Sequence, residues 1–352
     1  MEILQQARKR QRTIEIDDND NIDIIGHRWK DLNAVKRYMA ELCLNSIVTL
    51  HDSLLMKAVG LNEQAIHDLQ QKFMINEPSF RIIDKEVQQA MKKATKASTQ
   101  REKYNLYVAN SLKFDGDARK KFEIIASIYK NFVFRKNDIG SWKTMSEWSV
   151  IIKIWSNVFE VLFEEEEDVR LGDAQNKKFK VDLRLCITMN SKHNDLANIE
   201  FKKDGNSMKE DEAKVLVEGK TVLNCLSKYH DLDIYEAKKL KVIVGRFCGL
   251  KDVFKQVRFG EPGAYMANKR GKTIKYPINE RMLDTFVDQL QQLFIFKDEI
   301  IKQAKHLKGR LLEDDSLFGS PSTVEDQSFI KETYYLSRKI KIFPKLNEDI
   351  FK

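Results

Sequence analysis

The residues best suited to chemistry lie between positions 179 and 203, FKVDLRLCITMNSKHNDLANIEFKK. Phe179, Val181, Leu183, Leu185 and Ile187 alternate there with Lys180, Asp182, Arg184 and Cys186. Further on, Ala197, Ile199 and Phe201 alternate with Asn198, Glu200 and Lys202. Period-two alternation puts successive side chains on opposite faces of a strand, so Asp182 takes the polar face of the first run and Glu200 and Lys202 that of the second. The polar stretch 188–196 predicts the loop of a hairpin. If the strands pair, two carboxylates and an ammonium meet on one surface. Two carboxylates can hold a divalent cation such as Mg²⁺ or Mn²⁺ through oxygen. The cation activates water and neutralises phosphate charge, and a lysine beside it orients the water or stabilises the pentavalent state. That is chemistry for phosphodiester hydrolysis. A plainer reading competes with it: Glu-x-Lys recurs at 200/202, 212/214, 218/220 and 236/238, and a charged strand face is often only a solvated surface. The first pair alone follows a strand that carries another acid; the other three lie in helix-like sequence.

The elements around this stretch must position it. Residues 144–163 have helical periodicity, with Glu147 on the same face as Ile151, Ile154, Val158 and Leu162. Glu147 therefore either points into a site below the helix or closes the helix start in a capping box with Thr144, and the two roles are compatible. The acidic run 164–168 reads as a solvated loop, and 169–174 as a short strand bringing a further acid, Asp173, close to the site. After a turn at 204–207, residues 208–229 form a helix whose apolar face is Ala213, Leu216, Val217 and Leu223, with Lys220 in its middle and Lys214 pointing away. Lys220 either snorkels to the rim or reaches an anion beneath the helix. Residues 240–249 predict a central strand, and 253–259 and 264–269 further strands. Arg246, Lys255, Arg258, Lys269 and Arg270, interleaved with Phe254 and Tyr265, either track a phosphate backbone or line the exposed side of a sheet. Asn279 caps a long helix over 280–307.

Composition sets the outer bounds. The 352 residues suffice for a large core and, by length, two domains; the hydrophobic share of 42% is that of a globular chain. A net charge of +8 favours a polyanionic partner. Cys43, Cys186, Cys225 and Cys248 are scattered, which argues against zinc and against a disulfide framework, and His51 and His67 stand alone. A charged N-terminus and the lack of a long apolar run predict an intracellular protein of nucleus or cytoplasm with no membrane partner. The expected organisation is a flexible lead (1–26), a region helical throughout (27–138), an α/β domain (139–308) and a partly mobile tail (309–352).

The order helix, strand, strand with Asp, strand with Glu-x-Lys, helix, strand resembles the core of the PD-(D/E)XK nuclease superfamily over residues 141–249. The segments MSEWSVIIKIW, LGDAQNKKFKVDLRL and EGKTVLN are also similar to uncharacterised fungal proteins grouped near it. The resemblance implies an α/β fold with a restriction-endonuclease-like mixed sheet flanked by helices, and a metal-dependent nuclease acting on DNA or RNA. It implies Asp182 and Glu200 as ligands of Mg²⁺ or Mn²⁺, Lys202 as the catalytic lysine, Glu147 as an acid of the first helix and Lys220 as a phosphate contact. Asp173 matches an acid common in the fungal branch and joins the candidate metal ligands. Val181 stands where the name-giving proline would be. The alternative is a non-catalytic nucleic-acid or protein-interaction module that keeps the fold.

Overall fold

The computed structural model of the chain describes residues 38, 41–42, 45–50, 62–73, 84–134, 142–172, 183–189, 192–202, 208–260, 263–316, 329–331 and 333. Its centre is a seven-stranded mixed sheet of β1 (Ile47–Thr49), β2 (Arg170–Gly172), β3 (Leu183–Met189), β4 (Lys192–Lys202), β5 (Val242–Cys248), β6 (Lys251–Phe259) and β7 (Tyr265–Lys275). The order across the sheet is β1-β7-β6-β5-β4-β3-β2, so the apolar run LKVIVGRFCG does supply the central strand. β4 pairs with β5 and β1 with β7 in parallel, and every other pair is antiparallel.

Helices cover both faces. Before the α/β part come α1 (Glu63–Phe73), α2 (Lys85–Thr95), α3 (Gln100–Ser111) and α4 (Gly116–Phe134). α5 starts as Glu147–Val150, passes through a π-helical segment Ile151–Ser156 and ends as Asn157–Phe163. α6 (Met208–Tyr229) connects β4 to β5, followed by the single turn α7 (Ile234–Ala237), and α8 (Leu283–Ser316) closes the domain. Strand alternation decides which helix sees which side chains. Phe247 of β5 faces α5, with its ring 4.6 Å from Trp155 and 5.5 Å from Phe159, and Phe254 of β6 stacks at 4.3 Å on Phe296 of α8. Val244 points to the other face, where a Cβ on Gly219 of α6 would lie 2.9 Å from its Cγ1. Only glycine lets α6 sit this close to the sheet. α8 is tied to β7 by Gln289 and Gln292, whose side-chain oxygens accept from the backbone N–H of Lys275 and Lys272, both at 2.7 Å.

Three expectations are corrected. The N-terminal region is not helical throughout. Ile47-Val48-Thr49 is β-branched and buried, and it adds an edge strand whose Ile47 pairs with Tyr265. The stretch 188–196 is largely strand: Met189 pairs with Lys192, and a bulge sits between Leu185 and Cys186. Weak β propensity is overridden there by cross-strand partners, Thr188 with His193 at 3.0 Å and Asp195 with Arg184 at 3.3 Å. The acidic run 164–168 is engaged rather than merely solvated. Glu164 and Glu165 pair with Arg119 at 2.8 and 3.2 Å, Glu166 with Lys120 at 3.1 Å and Lys297 at 3.3 Å, and Asp168 with Lys308 at 2.6 Å. The expected lead over 1–26 lies outside the described residues.

The π segment of α5 presents Trp155, fully buried, so that its indole N–H donates to the Gly249 carbonyl at 3.0 Å while its ring meets Phe247 and Tyr276 edge-on. Trp155→Phe removes that donor and leaves a small void. Urea unfolding is expected to show a loss of about 2–3 kcal/mol; a loss below about 0.5 kcal/mol would contradict this packing.

Candidate active site at the end of the fourth strand

The polar face of β4 carries Asn198, Glu200 and Lys202, and it is covered by α6. Asp211, Lys214 and Glu218 recur on α6 at spacings of three and four, one helical stripe, and this stripe meets the end of β4. Glu200 is buried, 2% exposed. Its Oε1 accepts from Lys202 Nζ at 3.0 Å and from Lys214 Nζ at 2.7 Å. Its Oε2 is buried and has no hydrogen-bond partner among the described residues. Lys214 also lies 3.6 Å from Glu218, a carboxyl equally buried, so one ammonium is shared between two acids. Glu147 and Asp211 complete the group, both acting electrostatically on Lys202.

The electrostatics follow from crowding and burial. Burial pulls the Lys202 ammonium down, but Glu200, Glu147 and Asp211 outweigh it and the net shift is upward. Lys214 behaves alike, with burial opposed by Glu218 and Glu200. Burial pushes the Glu218 carboxyl up to about 7, assisted by the charge of Glu200 and opposed by Lys214 and Arg184. Glu218 is therefore partly protonated near neutrality, while Lys202 and Lys214 stay charged. Burial, then Asp195, pushes the Cys186 thiol up to about 12, which makes it a poor nucleophile.

Of the residues singled out from the sequence, Glu147, Glu200 and Lys202 come together. Lys220 does not join them. It is fully buried rather than snorkelling, with its ammonium 4.9 Å from the centre of the Tyr265 ring and 3.4 Å from Asn45 Oδ1. That is the β7 end of the sheet, and two strands separate β7 from β4. Asp182 and Asp173 lie outside the described residues. Asp182 directly precedes Leu183, and Leu183 pairs with Ile199, the neighbour of Glu200. The capping role proposed for Glu147 goes to Ser146, whose hydroxyl accepts from Ser149 N at 3.1 Å; Glu147 is the first helical residue, not the third. Sequence reading missed Lys214, Asp211 and Glu218. The signal was their common stripe on α6, obscured by the stronger apolar periodicity of the face around Lys220.

A buried carboxylate oxygen with no hydrogen bond, beside further acids, is chemically suited to oxygen coordination of Mg²⁺. Among the described residues no three His, Cys, Asp or Glu form a group placed to hold a metal ion. Glu200 is the donor they supply.

The raised Glu218 makes stability depend on pH in a defined direction. An acid whose folded value exceeds its ordinary 4.5 favours the folded state while protonated, so its contribution is complete below 4.5 and lost as pH rises through about 7. Glu218→Gln removes the titration. The stability of the wild type relative to this variant is expected to fall by about 3 kcal/mol between pH 4.5 and 8, read from urea unfolding at several pH values; a difference independent of pH would refute the assignment.

No family model, no curated protein and no solved structure matches the chain.

Proposed function

We propose that the chain is a metal-dependent nuclease of the PD-(D/E)XK kind, hydrolysing phosphodiester bonds of DNA or RNA. The observation that carries this reading is Glu200, a buried carboxylate at the end of β4 with Lys202 and Lys214 on one oxygen and the other oxygen without a hydrogen bond among the described residues. The connectivity agrees with it: α5 leads into the antiparallel β2-β3-β4, and α6 returns the chain to β5 parallel to β4. This is the arrangement expected of a restriction-endonuclease-like core. The net charge of +8 suits a phosphate-backbone substrate.

In this reading Glu200 and Asp182 hold Mg²⁺ or Mn²⁺, with Asp173 as a further acid. Such a cation supplies Lewis acidity and a more acidic bound water. Lys202 stays protonated beside Glu200, where it orients a water or balances charge that grows on the phosphate. Lys214 neutralises Glu200 and has a second carboxylate, Glu218, within reach when Glu200 turns to another ligand. Glu147 holds Lys202 from the side of α5. Lys220, beneath α6 near Tyr265, takes no part.

The test is cleavage of plasmid, single-stranded DNA and RNA in Mg²⁺ by the full chain and by Asp182→Ala, Glu200→Gln and Lys202→Ala. Cleavage is expected in the wild type, abolished by EDTA, and reduced on the order of 100-fold or more in each variant. If nothing is cut while salt-sensitive nucleic-acid binding persists, the protein is instead a non-catalytic nucleic-acid or protein-interaction module.

A further inference from the structure

On the opposite face of the sheet from Glu200, cations gather under α8. Strand alternation places Phe254, Gln256 and Arg258 of β6 on the face that α8 covers, and the pairing of Phe254 with Arg270 adds Arg270 of β7 to it. α8 contributes Glu299, Lys302 and Gln303 from above. Gln303 Oε1 accepts from Lys241 N at 3.1 Å, which brings the start of β5 to the same place. Burial lowers the Lys241 ammonium; Glu299 opposes this, and Arg270, Arg258 and Lys302 push it further down, so these three cations lie within electrostatic reach of Lys241. Glu299 is the carboxylate among them, and it is taken by Arg270 through Nε at 3.3 Å and through Nη2.

What points to a ligand is the set of donors left over. Arg270 Nη1, Gln303 Nε2 and both Nε2 and Oε1 of Gln256 are buried without a hydrogen-bond partner among the described residues, so Gln256 offers a donor and an acceptor. Gln256 is 1% and Arg270 9% exposed, so bulk water does not satisfy them. An unmade hydrogen bond at a buried donor costs roughly 1–3 kcal/mol, and such groups are few in folded proteins. An excess of positive charge, an arginine edge and two amide donors on one face of the sheet match the oxygens of a phosphate group. Lys241 and Lys302 are exposed.

We propose that this cluster between α8 and β5–β7 binds a phosphate group, free or terminal on a small molecule, with Arg270 as its inner anchor and Lys241, Lys302 and Arg258 as surrounding charge. The site stands independently of the nuclease reading, since it lies on the other face of the sheet and shares no residue with that centre.

The experiment is calorimetric titration of the full chain with inorganic phosphate, pyrophosphate and AMP at low ionic strength. Binding of at least one is expected. Lys241→Gln combined with Lys302→Gln changes exposed positions and should keep the fold; it is expected to weaken binding about tenfold. Glu299→Gln removes the competing carboxylate and should strengthen binding severalfold, a gain that loss of packing would not produce. AMP binding tighter than inorganic phosphate would assign a phosphomonoester, and the reverse the free anion. No binding by the wild type, or binding unchanged in both variants, would each overturn the proposal.

Discussion

Charge buried between a helix and a sheet has to be matched within that layer, and this constraint governs the centre of the molecule. Gly219 lets α6 approach the sheet closely enough for its charged side chains to be enclosed. Asp211, Glu212, Glu218 and Lys220 of α6 and Glu200 and Lys255 of the sheet are all buried. Removing one partner of such a buried pair costs roughly 3–5 kcal/mol because the other is stranded. The layer therefore fixes the register of helix on sheet more than it adds net stability. Glu200 takes Lys202 and shares Lys214 with Glu218; beside it Glu212 takes Lys255, Arg246 at 3.3 Å and the Tyr38 hydroxyl at 3.3 Å.

The second of these clusters shows why the N-terminal region belongs to the same body. Tyr38 and Asn45 reach α6 directly, and β1 extends the sheet beyond β7. On the other face, α4 is joined to α8 through Lys297, which pairs with both Asp117 and Glu166, while Lys120 of α4 pairs with the same Glu166. Aromatic packing continues the link: Tyr107, Phe122 and Tyr129 share one hydrophobic core with Phe247 and Trp155. The position near 138 where the sequence changes character is thus not a break in the packing.

Much of this was legible in the sequence for physical reasons. α6 occupies the stretch read for it, because its apolar spacing is strong and turn-forming residue types precede it in the sequence. Asn279 caps the start of the long C-terminal helix, accepting from Met282 N as its residue type predicts. Glu200 and Lys202 were singled out by alternation alone. Other features had no local signal. Three residues of β1 are too few to show a period, and the strand part of 192–196 owes its conformation to partners on β3. The direction of Lys220 depends on Tyr265 and Asn45, far away in sequence. Lys214 was set aside because a helix lying over a charged strand buries more than its apolar stripe. Of the cations under α8, Arg258 and Arg270 belong to a basic stretch legible in the sequence, but their convergence needs the pairing of β6 with β7.

The short segment after α8 also bears on how the protein is handled. Phe329 packs edge-on against Phe259, its carbonyl accepts from Gly263 N at 3.0 Å, and Lys331 N donates to the Tyr265 hydroxyl at 3.0 Å. That hydroxyl donates in turn to Asn224 of α6 at 2.7 Å. The tail is thus stitched to the ring that carries Lys220. A version shortened to the end of α8 would uncover Phe259 and take the Lys331 backbone from Tyr265 and Asn224, so affinity tags and fusion partners belong beyond residue 333.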